Sequence, residues 1–310
     1  MRTSNNEIMT DAGLGHRPKR SRLRKRITQV PISVRKNYKL VINPDFWRLL
    51  PLLLICRLTT RNFGYGQPKI FVGTHHKAMT TYFKAVLKLL AFGLGTRFED
   101  ISKDVPDSKT HIFLSIHSQT PWSEIGPYRG IHVMRDPRDM IVSSYHYHLW
   151  TNELWVHVPD DNGQTYQEKL QAADKTEGLF MTIRHFIYFS RATLENWDLD
   201  DPDILEVPYD ALMGEDRTKL YDEIFSFLGL TGRAHELGVR LMHLFEAGKR
   251  SKISSTAPNE RAHIRSGRSG QWKDELEAEH IAFINQELGH ILDKFGYASA
   301  APDQGAASKG

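Results

Sequence analysis

Short apolar segments alternate with longer helical patterns over most of the chain, and this rhythm restricts the fold more than any other feature of the sequence. The apolar segments lie at residues 69–73, 111–116, 131–134 and 204–207. The helical patterns lie at residues 80–92, 137–150, 178–197 and 216–228. Strands that alternate with helices are joined by right-handed crossovers into a parallel sheet covered on both faces. We therefore predict an α/β fold with a central parallel sheet flanked by helices.

The two ends of the chain differ in composition from this central part. Residues 1–40 hold eleven Lys and Arg against two acidic residues, a net charge of +9 within a whole chain of +4. The other residues therefore carry −5, which argues against nucleic-acid binding by the body of the protein. We predict a disordered basic arm over residues 1–40, one domain over 41–297 and a disordered tail over 298–310. Residues 151–203 fit the rhythm poorly and are predicted to form a lid or acceptor insertion.

Cysteine usage and apolar runs indicate the environment of the protein. Cys56 is the only cysteine, which excludes an internal disulfide and a cysteine-rich metal site. The longest apolar run, residues 49–56, is too short to cross a bilayer, and the charged start does not resemble a signal peptide. We predict a cytoplasmic protein. The basic arm is suited to peripheral contact with an anionic membrane, although a solvated leader is the simpler interpretation.

The loop after the first predicted strand is typical of phosphate binding. A helix start presents free N–H groups and the positive end of the helix dipole to an anion. Lys77 adds a positive charge, and Thr80 and Thr81 add hydroxyl donors in the first turn. His76 precedes the lysine where a Walker A loop has glycine, so a conventional ATPase is disfavoured. An ordinary strand–helix turn explains the loop equally well when it is taken alone.

Two later segments add further candidate anion ligands. Arg135 follows the third predicted strand, and Ser143 lies one helical turn beyond Asp139 on the next helix. A guanidinium and a hydroxyl suit a second phosphate, whereas pairing of the arginine with Asp136 or Asp139 at the helix start is the alternative. The third segment, residues 265–273, has the sequence RSGRSGQWK, whose glycines and cations suit a loop that closes on an anion. Its alternative is a charged surface linker.

Taken together, the three segments resemble the motifs of the PAPS-dependent sulfotransferase family, whose donor is 3′-phosphoadenosine 5′-phosphosulfate (PAPS). The family motif Lys-Ser-Gly-Thr-Thr-Trp corresponds to residues 77–82, and its Arg…Ser pair corresponds to Arg135 and Ser143. The Arg-Lys-Gly and Gly-Asp-Trp-Lys pattern corresponds to residues 265–267 and 270–273. The resemblance covers about residues 67–297. It implies a P-loop NTPase-like three-layer sandwich and transfer of a sulfuryl group from PAPS to a hydroxyl acceptor.

The sequence departs from the family pattern at several positions. Ala78 and Met79 replace Ser-Gly, so we expect the donor loop to follow a different backbone path. Ser266 replaces a lysine and weakens one contact to the 3′-phosphate of the donor. Tyr82 replaces a tryptophan but keeps a ring for stacking on adenine.

The resemblance implies a role for each matching residue. The implied donor site consists of Lys77, Thr80, Thr81, Tyr82, Arg135, Ser143, Tyr209, Arg265, Ser266 and Gly267. Among them, Lys77 stabilises charge on the leaving phosphate, and no metal ion is required. His117 ends the second predicted strand, where the family has its catalytic histidine, and is the predicted general base. His75, His76 and Glu124 are the rival candidates.

The acceptor is predicted only as a hydroxyl on a small molecule, a glycan or a lipid. Two other classes of function stay open. A P-loop kinase-like phosphotransferase predicts dependence on ATP and Mg²⁺, and the missing Walker glycine argues against it. A non-catalytic nucleotide-binding protein is suggested by Ala78, Met79 and Ser266.

Overall fold

The computed structural model describes residues 43–60, 63–64, 66–246 and 269–298. The predicted basic arm lies outside these residues, as do Arg265, Ser266 and Gly267 and nearly all of the predicted tail. The chain divides into two units, Met1–Phe46 and Trp47–Gly310, and the strands described below belong to the second unit. The predicted boundaries at residues 40 and 297 stay predictions.

A five-stranded parallel sheet forms the centre of the second unit. Its strands are β1 (Lys69–Thr74), β2 (Arg97–Ile101), β3 (Thr110–Ile116), β4 (Tyr128–Met134) and β5 (Ile204–Pro208). They lie side by side in the order β2-β3-β1-β4-β5, and every neighbouring pair is parallel. Strand β1 is therefore central, and all of its residues except Lys69 are buried. The predicted α/β fold is confirmed.

Ten α-helices connect and flank the strands of the described chain. They are α1 (Pro44–Thr59), α2 (Thr80–Leu94), α3 (Pro137–His148), α4 (Tyr166–Ala172), α5 (Lys175–Glu195), α6 (Tyr209–Met213), α7 (Arg217–Phe227), α8 (Gly232–Leu244), α9 (Trp272–Glu275) and α10 (Ala278–Lys294). Short 3₁₀ turns occupy Trp122–Glu124 and Leu154–His157. None of the helices in the described part of the chain is long and apolar enough to cross a membrane.

Two groups of helices pack among themselves around the sheet. Helices α2, α7 and α8 form one group, in which Gly238 leaves room for the ring of Phe225. Helices α3, α5 and α10 form the other group, whose shared core includes Met140, Ile183 and Leu288, each fully buried. Burial of these apolar faces fixes the helices against the sheet, so that the loops after the strands are held in place.

The structure adds one strand that the sequence did not predict. Strand β2 (Arg97–Ile101) lies at the sheet edge, and its sequence RFEDI carries charges instead of an apolar run. An edge strand has only one neighbour and is more exposed, so it does not need the continuous apolar sequence of a central parallel strand. Residues 151–203 contain α4, a 3₁₀ turn and α5, which begins with the Asp174 side chain accepting a hydrogen bond from the Glu177 N–H.

Candidate active site

The loop between β1 and α2, residues 75–79, is the first component of the site, and we call it the donor loop. Lys77 and Met79 both have left-handed backbone, with φ of 65° and 64°. Met79 is the N-cap of α2, and its side chain provides no capping hydrogen bond. Left-handed backbone costs a residue with a Cβ about 1–2 kcal/mol. Met79 thus holds a conformation that the glycine of the family motif would adopt at little cost.

The threonines and the tyrosine that follow the donor loop have different surroundings. The Thr80 hydroxyl donates to the His75 carbonyl at 3.1 Å and contacts the Thr74 hydroxyl at 3.0 Å, which ties the helix start to the strand end. Thr81 is exposed. Tyr82 is buried, and its hydroxyl donates to the Met242 carbonyl at 3.0 Å. The structure therefore gives Tyr82 a packing role between α2 and α8, and adenine stacking by its ring gains no support.

Arg135 joins the donor loop to the loops that follow two other strands. It leaves the end of β4 and is buried, with one guanidinium N–H donating to the Lys77 carbonyl at 3.0 Å. The same guanidinium lies 4.4 Å from the centroid of the Tyr209 ring, at the end of β5. The carboxyl ends of β1, β4 and β5 thus meet at Arg135, the edge of a parallel sheet where ligands bind.

The end of the third segment also reaches this place. Asp139, on the first turn of α3, accepts hydrogen bonds from the Gly270 N–H at 2.8 Å and the Trp272 N–H at 3.1 Å. The Arg135 guanidinium lies 3.9 Å from the same carboxylate. Burial raises the pKa of Asp139, while the two N–H groups and the Arg135 charge oppose that rise. Ser143 lies one turn further along α3 and is half-buried.

The aspartate that follows Arg135 has a structural role at the start of α3. The Asp136 side chain accepts a hydrogen bond from the Arg138 N–H at 2.9 Å and caps the helix. The Arg138 guanidinium binds the same carboxylate and lies 4.0 Å from the Trp272 ring centroid. Arg138 therefore takes Asp136 as its partner, whereas Arg135 lies near Asp139 at 3.9 Å. The alternative interpretation of Arg135 as the partner of a nearby aspartate thus holds for Asp139 and not for Asp136.

Lys77 points from the donor loop toward α3. Its ammonium lies 4.0 Å from the centroid of the Tyr147 ring. Burial and then the nearby Arg135 charge lower the pKa of Lys77 to about 8, and the Glu153 carboxylate opposes this shift. The side chain is thus still mainly protonated at pH 7 but releases its proton more readily than an exposed lysine.

Four histidines gather beside Lys77, and we call His76, His117, His148 and His185 the histidine cluster. The rings of His76 and His117 lie 6.3 Å apart, and those of His148 and His185 lie 5.7 Å apart. His76 Nε2 lies 3.3 Å from His148 Nε2. Burial and neighbouring positive groups lower the pKa of His76 well below its usual range. We infer a cluster of neutral imidazoles at pH 7.

Within the cluster, His117 has the position expected of a proton acceptor at the end of β3. Its backbone is left-handed, with φ of 68°, and the side chain is half-buried. Burial lowers the pKa of His117, whereas the Glu153 carboxylate raises it. A neutral ring at neutral pH is the form that accepts a proton.

The rival bases lie in different surroundings. His75, the first residue of the donor loop, is buried, and its Nε2 lies 2.8 Å from Nε2 of His132, whose Nδ1 in turn lies 2.7 Å from a Glu206 oxygen. Nε2 of His75 is therefore already engaged by a buried partner, which disfavours His75 as the general base. Glu124 is exposed on its 3₁₀ turn. His76 belongs to the histidine cluster and stays a rival to His117.

Glu153 is a site residue that the sequence did not single out. Its carboxylate accepts hydrogen bonds from the Tyr147 hydroxyl and the Trp155 indole N–H, each at 2.8 Å. Its charge acts on both Lys77 and His117. Glu153 lies in the segment that fits no strand–helix rhythm, so no motif marked it. Among the residues that the structure describes, no group of three or more His, Cys, Asp or Glu could hold a metal ion.

Comparisons with known proteins place the chain among characterised domains. The sulfotransferase domain family matches residues 26–296. Among solved structures, mouse sulfotransferase SULT7A1 complexed with PAP is 15% identical, with a TM-score of 0.46, over 78% of this chain and 90% of that chain. Retinol dehydratase in complex with androsterone and inactive cofactor PAP is 17% identical, with a TM-score of 0.42, over 78% of this chain and 85% of that chain. No curated protein sequence gave a significant match.

Proposed function

The chain belongs to the sulfotransferase family, whose domain spans residues 26–296, and from this premise we propose that the edge formed by β1, β4 and β5 moves a sulfuryl group from PAPS to a hydroxyl acceptor. One observation carries the proposal. The Arg135 guanidinium binds the Lys77 carbonyl at 3.0 Å and lies 4.4 Å from the Tyr209 ring, so residues of separate motifs meet at one point. The donor loop is not a Walker A loop, because His76 precedes Lys77 where that ATP-binding loop has glycine.

The residues at this point fit a donor with two phosphate groups. The N-terminus of α2 and the exposed Thr81 are proposed to hold the 5′-phosphate, because helix N–H groups favour an anion. Arg135, Ser143 and the third segment with Arg265, Ser266 and Gly267 are proposed to hold the 3′-phosphate. The Tyr209 ring is proposed to contact adenine. When bound, PAPS supplies the sulfuryl group.

Thr80 and Tyr82 are proposed to act indirectly. The Thr80 hydroxyl is already used within the loop, so it sets the shape of the donor loop more than it binds phosphate. Tyr82 holds α2 against α8 through its hydrogen bond to Met242. We therefore assign neither side chain a direct contact with the donor.

Lys77 and His117 are proposed to act at opposite ends of the reaction. As the acceptor oxygen bonds to sulfur, the bond from sulfur to the phosphate oxygen breaks, and negative charge develops on that oxygen. The protonated Lys77, with its pKa of about 8, stabilises this charge. The acceptor hydroxyl passes its proton to neutral His117, and the Glu153 carboxylate stabilises the imidazolium that results.

The proposed acceptor position is lined by flat rings. Trp155 and His185 stack with an interplanar angle of 8° and a centroid distance of 4.5 Å, and Tyr166 lies 5.2 Å from both rings. A small molecule with a hydroxyl group on a flat, mainly apolar frame fits this lining, because stacking on rings favours such a frame. Lipids with such a headgroup and sugars, which present a flat face, are the other acceptors to include in a test panel.

The experiment measures turnover of labelled PAPS by Lys77→Ala and His117→Ala over this panel. We expect Lys77→Ala to slow transfer to every acceptor, and His117→Ala to cost roughly 10²–10⁴ with an alcohol but much less with an acidic phenol. Both variants should still bind adenosine 3′,5′-bisphosphate (PAP). Lys84→Ala on the same helix is the matched control, since Lys84 pairs with Asp100. Transfer of a phosphoryl group from ATP with Mg²⁺ would instead favour the kinase-like alternative. Binding of PAP without turnover of PAPS would favour the non-catalytic alternative.

A further inference from the structure

Helix α1 is apolar on two opposite faces, one of which is buried in the core. Leu49, Leu53 and Cys56 are buried on the inner face. The Cys56 thiol donates to the Arg233 carbonyl at 3.3 Å, and a Cβ added at Gly93 would lie 3.2 Å from a Leu53 methyl. These contacts dock the inner face on α2 and on the start of α8. The opposite, outer face consists of exposed residues.

The outer face of α1, defined by Trp47, Pro51, Leu54, Ile55 and Leu58, is exposed along its whole length. Leu58 has 65% of its surface exposed, Trp47 55%, Leu54 46% and Ile55 41%. At 3.6 residues per turn these positions fall within about 100° of the helix circumference. A continuous apolar stripe of this kind marks an interaction surface, whereas single exposed apolar residues do not.

Positive charge borders the stripe on both sides. Arg48 and Arg57 are exposed and lie on opposite sides of the outer face by helical geometry. The Arg57 guanidinium donates to the Phe92 carbonyl at 3.2 Å and lies 5.4 Å from the Phe92 ring, which is itself 48% exposed. Phe92 therefore extends the apolar surface beyond Arg57. No acidic side chain lies among the residues that define this face and its border.

We propose that the outer face of α1 docks on an anionic membrane surface, with its apolar side chains among the acyl chains and Arg48 and Arg57 at the headgroups. Helices that lie in the membrane interface combine an exposed apolar face with basic residues beside it, and Trp prefers the headgroup level. The +9 charge of residues 1–40 adds attraction to anionic lipid. The same charge opposes a second copy of this chain on the face, because pairing would bring two such segments together.

This surface is separate from the proposed active site. Phe92 lies near the C-terminal end of α2, twelve residues after Thr80, which places it about 18 Å along the helix from the donor loop. Changes on the outer face are therefore expected to leave PAP binding and transfer to a dissolved acceptor unchanged. Loss of membrane binding and loss of the proposed function can thus be told apart.

The test is co-sedimentation of the full chain with vesicles of phosphatidylcholine, with and without phosphatidylserine. We expect binding to the anionic vesicles, weakened by salt, and little binding to the neutral ones. The double variant Leu54→Gln and Leu58→Gln should lower the partition coefficient at least tenfold, equivalent to about 1.4 kcal/mol. The matched control is Val105→Gln, another exposed apolar residue, which should bind as the unmodified chain does. An unchanged thermal shift with PAP shows that each variant is folded.

Three results would overturn the proposal. Equal binding of the double variant and the unmodified chain would show that the basic segment acts alone. Binding that appears only after removal of residues 1–42 would show that this segment covers the face. A dimer that the double variant abolishes, without vesicle binding by the unmodified chain, would identify a second copy as the occupant.

Discussion

Acidification is expected to destabilise this protein strongly, because its fold keeps several histidines neutral. His75 and His76 have pKa values well below the usual range, mainly through burial. Burial also lowers the pKa of His148 to about 3 and that of His185 to about 4. In the unfolded chain each of these rings binds a proton near pH 6.5. The unfolded state then holds more protons than the native state, so stability is lost as the pH falls through 6.5.

The size of the effect follows from the number of buried rings. Between about pH 7.5 and about pH 5.5, one histidine that titrates only when unfolded lowers the free energy of unfolding by about 1.4 kcal/mol. The four histidines together give about 5 kcal/mol, which is comparable with the whole stability of many domains. Lys77, with its pKa of about 8, stays mainly protonated over this range and adds little to the change in stability.

Urea unfolding followed by circular dichroism at several pH values measures this loss. We expect His148→Gln to remove about one quarter of the pH dependence, since one of four rings no longer titrates. His290→Gln is the control, because His290 is exposed and binds Glu195 on the surface. A free energy of unfolding that changes by less than about 1 kcal/mol over this range would refute the reasoning, since the histidines would then have ordinary pKa values.

Three further predictions concern the donor loop and its support. Asp139→Ala removes the acceptor of two backbone N–H groups and should lower the free energy of unfolding by about 2–4 kcal/mol in urea titrations. The same variant should weaken PAP binding at least tenfold by calorimetry, and unchanged PAP binding would contradict this. Met79→Gly should relieve left-handed backbone and raise the melting temperature, whereas Ala78→Gly should lower it, and the reverse order would show that Met79 is unstrained. Glu206→Ala should weaken PAP severalfold, because Glu206 supports His75 through the buried histidine pair; equal affinity would deny that support.

The sheet was predictable because a parallel strand that is buried on both faces has a nearly continuous apolar sequence. Strands β1 and β3 are mainly apolar runs with a neighbouring strand on each side, and the predicted limits differ from the observed ones by one residue. Strand β2 escaped because an edge strand tolerates the charges of Glu99 and Asp100. Helix α8 was not predicted, because it lies outside the main alternation of strands and helices. Its apolar residues repeat within a sequence that also carries exposed charges.

The candidate site was predictable where short motifs fix the backbone and unpredictable where contacts are long-range. The donor loop and Arg135 were predicted as site residues from local spacing, and the structure brings them within hydrogen-bonding distance of each other. Glu153 and His148 reach the site through tertiary packing, which spacing along the chain does not encode. For Tyr82 the motif position predicts a contact with the donor, whereas the structure shows a buried side chain whose hydroxyl donates to the Met242 carbonyl, so that contact stays a prediction.

Calorimetric titration with PAP and with AMP tests most directly whether this edge of the sheet holds a 3′-phosphorylated nucleotide. We expect PAP to bind at least tenfold more tightly than AMP, a difference of about 1.4 kcal/mol or more, because Arg135 provides a charge-assisted contact for the additional phosphate. Arg135→Ala should remove most of that difference while leaving AMP binding nearly unchanged. Equal affinity for the two nucleotides in the unmodified protein would contradict the assignment of the donor site.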